Sequence, residues 1–170
     1  MREQLQTLID EYRAKRRELE AIFYENGQDQ MQKFFDEFFE KNPEVESIHW
    51  VQYTPYFNDG SPCVFSVGDM YATLKGDKVD GDEGSCLYLG DWVDDHIKKG
   101  STWAIEAKED YERAVSLVGS EDRLREINEE VSSLERYIGS IEDFMCIIYD
   151  DHSMITVKPG STEVVEYEHD

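Results

Sequence analysis

Apolar residues near the start of the chain fall at helical spacing. Leu5, Leu8, Ile9, Tyr12, Leu19, Ile22 and Phe23 recur three and four positions apart and mark one stripe on a helix over residues 2–24. Lys15 and Arg16 stand where a further apolar residue of that seam belongs, which argues against a long self-sufficient coiled coil. Such a stripe needs a partner. Met31, Phe34, Phe35, Phe38 and Phe39 form a second helical stripe over residues 28–41, ended by Asn42 and Pro43. Phenylalanines so densely placed read as core rather than as a ligand box. A third stripe, Leu124, Ile127, Val131, Leu134 and Ile138, has the alternating three-and-four spacing of heptad a and d positions. Ser120 is its expected N-cap, Glu121 and Asp122 suit its positive first turn, and Gly139 is its expected end. The first and third stripes are predicted to pack together, within one chain as the favoured arrangement or across a dimer.

Between these helices the period changes. Residues 48–54 are β-rich, and residues 63–67 follow a Pro-bounded turn, so the two read as a hairpin. The connecting loop, residues 55–62, holds the Asp59-Gly60 step that a turn demands and two aromatics, Tyr56 and Phe57, expected at the surface. Residues 75–90 are Gly-rich and acidic and predict a surface loop, residues 89–97 resume a short apolar pattern, and residues 103–118 predict a helix with Ala104, Ala107, Tyr111, Val115 and Val118 on one face. A short helix after Ser140 precedes a terminal hairpin with strands at 154–157 and 163–167. The predicted fold class is α+β, one domain over residues 1–170. It has a helical arm or antiparallel helix pair, mainly in 1–41 and 102–138, and a small antiparallel β-sheet built from two hairpins in 45–70 and 153–168.

Charge changes the picture from fold to partners. The chain has 39 Asp plus Glu against 17 Lys plus Arg, a formal net charge of −22. Residues 2–24 carry equal numbers of acidic and basic side chains, so the whole deficit falls on residues 25–170. A surface of that sign repels nucleic acid and membranes and can act as a decoy for proteins that bind polyanions. No stretch approaches the roughly 18 apolar residues of a membrane span, and the expectation is a soluble protein of the cytoplasm. The aromatic content of 12% argues against disorder. Cys63, Cys86 and Cys146 lack the paired spacing of a zinc site and read as reduced, partly buried thiols.

Chemistry is poorly supported by motifs. There is no G-x-S-x-G elbow, Walker loop, H-E-x-x-H or Gly-rich dinucleotide turn. Asp94, Asp95 and His96, and separately Asp150, Asp151 and His152, have metal-ligand chemistry but read as solvated acidic turns. A calcium loop starting at Asp80 fails in register, with Ser85 at its sixth position and Asp91 at its twelfth. Neither a cofactor nor a specific metal is expected.

Residues 53–67, Tyr-Thr-Pro-Tyr-Phe-Asn-Asp-Gly-Ser-Pro-Cys-Val-Phe-Ser-Val, and the terminal Glu166-Tyr167-Glu168-His169-Asp170 resemble small uncharacterised acidic proteins encoded by tailed bacteriophages. The resemblance covers a minority of the chain and carries over no functional residue. It implies a phage accessory protein acting in a host cell, where small acidic proteins block host enzymes or defence systems. The leading expectation is therefore a non-enzymatic inhibitor of a host protein, in the sharper form a DNA mimic aimed at a nucleic-acid-binding defence or transcription enzyme. The expected partner surface comprises Tyr56, Phe57, Asp59, Asp80, Asp82, Glu83, Asp91, Asp94 and Asp95. Alternatives are a nucleotide or small-ligand sequestering protein that stacks a base on Trp50, Tyr53, Tyr56, Phe57 or Trp92, an assembly protein that oligomerises through the helical arm, and an enzyme with a novel site.

Overall fold

In the computed structural model, which describes residues 2–57, 60, 62–79, 83–90 and 92–168, the first two stripes belong to one continuous helix, α1 (Arg2–Lys41). The break expected between residues 24 and 28 is absent because Gly27 is not a stop. It is buried where α1 crosses the later helix α5 (Glu142–Tyr149), and a Cβ there would stand 2.5 Å from Ile148 Cγ1. Glycine permits that close approach, and Gln28 Nε2 beside it donates to the Ile148 carbonyl at 3.0 Å.

The terminal hairpin forms as expected, whereas of the strand expected at 63–67 only residues 66–67 pair, and residues 71–74, beyond the expected 45–70 span, supply a further strand; all join into one sheet. Strand β1 (Val45–Tyr53) is central: the terminal hairpin β4 (Ser153–Lys158) and β5 (Ser161–Glu166) adds to one edge through β4, with Trp50 opposite Ile155. Along its other edge β1 pairs first with the two-residue β2 (Ser66–Val67) and then with β3 (Tyr71–Leu74), all antiparallel. The pattern of residues 75–90 hid how the chain returns past β3. Ser85 is buried, its N–H donates to Ala72 O at 2.7 Å, and its hydroxyl accepts from Leu74 N at 2.8 Å.

The inward face of the sheet, Ile48, Trp50, Ile155 and Val157, is covered by the aromatic half of α1, by α4 (Glu121–Ser140) and by α5. Phe35 stacks on Trp50 with centroids 5.6 Å apart, and Tyr149 meets the same indole edge-on. Gln52 is fully buried and fully used: its amide donates to Met145 O and Asp150 O and accepts from Trp50 Nε1, as a buried amide requires.

All five apolar residues of the α4 stripe are buried in this core. They meet the second stripe of the chain, not the first as expected. Four phenylalanines leading directly into β1 bring more apolar area to the sheet than the leucines of residues 2–24, so burial goes to them. Ser120 caps α4 as predicted, accepting from Arg123 N at 3.2 Å. Gly139 lies inside its last turn, and a glycine that does end a helix is Gly119, at φ 93° after α3 (Thr102–Val118). Arg123 clamps the start of α4 to the chain after α1, forking onto both oxygens of Glu44 at 3.0 and 2.9 Å and reaching Lys41 O and Asn42 Oδ1. Those hydrogen bonds hold the Glu44 carboxyl below its ordinary value. Cys86 and Cys146 are half-buried, and burial pushes both thiols up, but Cys63 is exposed, contrary to the expected partial burial. Among the described residues no helix is long and apolar enough to cross a membrane.

Candidate partner-binding surface

Two aromatic patches interrupt the acidic exterior. The first is built where the short helix α2 (Val93–Lys98) turns into α3 through Gly100, whose φ of 76° suits a residue without Cβ. Trp92, His96 and Trp103 meet there, with centroids 5.3 Å apart for the two indoles and 5.1 Å between His96 and Trp103. Both indoles keep about half their surface in solvent, 57% for Trp92 and 44% for Trp103. Val93, next in the chain to Trp92, is buried, and any side chain at Gly90 would collide with the Trp92 indole. Asp94 and Asp95 border this patch and are exposed, each paired with a lysine: Asp94 with Lys108 at 3.3 Å and Asp95 with Lys98 at 3.2 Å. Exposed pairs of this kind contribute about 0–1 kcal/mol, so a cationic partner can exchange them.

The second patch is the turn after β1. Tyr56 and Phe57 are 71% and 80% exposed, as expected, and the Tyr56 ring lies parallel to His152 at 4.7 Å. The platform under Tyr56 is the turn between α5 and β4, where Asp150 and His152 have φ of 64° and 55°, a region that L residues rarely adopt. Asp151 fixes it by accepting from Thr54 N and Thr54 Oγ1, both at 2.7 Å. Burial would raise the Asp151 carboxyl, and the hydrogen bonds from Thr54 outweigh burial and hold it below its ordinary value. Among the described residues no group of three or more His, Cys, Asp and Glu side chains is placed to hold a metal ion.

The expected partner residues therefore divide. Asp94 and Asp95 join the tryptophan patch, Tyr56 and Phe57 form the turn patch, and Glu83 lines a shallow pocket of about 270 Å³ on the outer sheet face with Glu46, His49 and Lys158. Asp59, Asp80, Asp82 and Asp91 lie outside the described residues. Trp50, offered as a base-stacking residue, is instead fully buried in the core. Trp103 was missed as a surface group because it opens a helical pattern. Its four-residue spacing to Ala107 and Tyr111 puts it in register with the buried face, and only its place in the first turn, at the end of the stripe, leaves it exposed. Trp103 also leads a row of acids along α3, since Glu106, Glu109 and Glu112 are exposed and make no ion pair among the described residues. Glu121 and Glu129 on α4 are likewise exposed without an ion pair among these residues. No protein-family model, curated protein or solved structure matches the chain.

Proposed function

We propose that this protein is a non-enzymatic phage accessory protein of the host cytoplasm, which binds and inhibits a host nucleic-acid-binding protein by presenting carboxylates in place of phosphates. The observation that carries this reading is the combination on one helix, α3, of an exposed tryptophan with a row of exposed acids that make no ion pair among the described residues. Glu106, Glu109 and Glu112 recur every third residue, which is a rise of about 4.5 Å per carboxylate. Phosphates along one DNA strand rise about 3.4 Å each, so a groove lined with Lys and Arg to take phosphates meets a comparable row of charge. Rigid indoles at the end of that row supply the desolvated contacts that dominate binding energy at protein interfaces.

Sequestration of a nucleotide has weaker support, because phosphate needs cations and the pocket beside the tryptophan patch sets Lys108 among Asp94, Glu112 and Glu121. The test is competition on a captured host target. Duplex DNA displaces the protein if both occupy one groove, and the triple variant Glu106→Gln, Glu109→Gln, Glu112→Gln weakens the complex at low salt more than at high salt. A complex indifferent to both duplex and triple variant contradicts the reading.

A further inference from the structure

We propose that the exposed N-terminal half of α1 is a dimerisation arm that pairs antiparallel with the same segment of a second copy. This goes beyond the proposed function and does not depend on it. Leu5, Leu8, Tyr12, Leu19 and Ile22 are each between 56% and 66% exposed on a regular helix, and with Lys15 they complete an unbroken three-and-four seam. A seam of that spacing is a coiled-coil face awaiting a helix. Its 18 residues, 5–22, extend about 27 Å at 1.5 Å per residue.

The seam selects both occupant and direction. In an antiparallel pair each a position faces a d position, so Leu5 packs on Ile22 of the second copy, Leu8 on Leu19, and Tyr12 on Lys15. Every leucine and isoleucine then meets an aliphatic neighbour. The one charged seam residue meets an aromatic ring, whose face attracts an ammonium group. A parallel pair would stack Lys15 on Lys15 and set two acidic bodies side by side. It would gain an exposed Glu11–Arg16 attraction where the antiparallel pair has Glu11 near Glu18. Those flanking pairs are solvated and weak, and burying two lysines against each other costs more.

Charge points the same way. Residues 2–24 balance five basic against five acidic side chains in a protein of net −22, so two copies can join here without adding like charge, and the antiparallel direction sends the acidic bodies to opposite ends. The seam also runs into a prepared surface. Ile22 and Phe23 form one wall of an open apolar groove of about 420 Å³ whose other walls include Ile141, Phe144 and Ile148. In the antiparallel register the Leu5 end of the second copy reaches that groove.

The experiment is sedimentation of the full chain, followed by cross-linking in a Cys63→Ser background. The expected mass at tens of micromolar is twice the 19.9 kDa of one chain, falling to a single chain in the Leu8→Glu, Leu19→Glu variant with its circular dichroism unchanged. Lys15→Leu is expected to tighten the dimer about tenfold or more, because a polar seam residue specifies pairing at a cost in stability. A short bismaleimide is expected to join Leu8→Cys protein to Leu19→Cys protein when the two are mixed. Cross-linking of Leu8→Cys protein to itself would overturn the antiparallel register. A single-chain mass at these concentrations for both the native and Lys15→Leu proteins would overturn the dimer and leave the seam to a different protein.

Discussion

Residues 2–24 and 27–41 of α1 share one helix axis and one kind of apolar period, yet the leucines of the first segment stand in solvent while Phe35, Phe38 and Phe39 of the second lie in the core. The difference follows from what each can reach. The second segment ends one short turn before β1, so connectivity lays it across the sheet, and its aromatic rings are large enough to close the layer formed with α4 and α5. The first segment extends beyond Gly27, where α5 crosses; Phe23 meets the body against Phe144 at 4.7 Å, and Ile22 lines the groove beside it. One helix thus serves as a core element and as a projecting arm. The two parts also differ in charge, neutral on the arm and strongly acidic on the body.

That contrast is sharpest in stability. Phe35→Ala removes a fully buried ring stacked on Trp50 and is expected to cost about 3–5 kcal/mol in chemical unfolding. Arg123→Ala breaks the fork that ties α4 to Glu44, with an expected loss of about 2–3 kcal/mol. Because Glu44 titrates below its ordinary 4.5 in the folded protein, its share of stability is present above that pH and is lost as pH falls through the lowered value. Melting temperature followed downward from pH 5 is expected to drop more steeply in the native protein than in Arg123→Ala. Gly27→Val forces its new side chain into Ile148 at the junction of arm and body, at an expected cost of about 1–3 kcal/mol. Leu8→Asn on the arm is expected to shift unfolding of the dilute chain by no more than about 0.5 kcal/mol. A loss as large as that of Phe35→Ala would erase the distinction between the halves.

Much of the architecture is legible in the residues themselves. The α4 stripe, its Ser120 cap, the phenylalanine core and the terminal hairpin follow from period and capping chemistry, which are local properties. Three features depend on contacts between distant residues and are not legible. Residues 25–27 read as a gap between two helices until Gly27 is known to lie against Ile148. Ser85 reads as loop until its hydroxyl is seen on Leu74 N. The partner of the first stripe is misread because period alone cannot rank two stripes competing for one sheet. At the candidate surface, the exposure of Tyr56 and Phe57 is evident from the turn they flank, whereas the meeting of Trp92 with Trp103 depends on the α2–α3 turn and escapes any reading along the chain.

The central claim, that the acidic body occupies a nucleic-acid-binding surface of a host protein, is tested most directly by affinity capture from a bacterial lysate at low and at high salt, with duplex DNA as competitor and mass spectrometry of what is retained. A site that takes carboxylates as phosphates is expected to lose affinity between about 50 and 200 mM salt through screening, by less than it loses for duplex DNA, whose condensed counterions steepen the dependence. The predicted result is a DNA-binding enzyme retained at low salt and released both by high salt and by duplex. A partner held equally at both salts and unmoved by duplex would contradict polyanion mimicry and indicate an inhibitor that binds through packed apolar contacts.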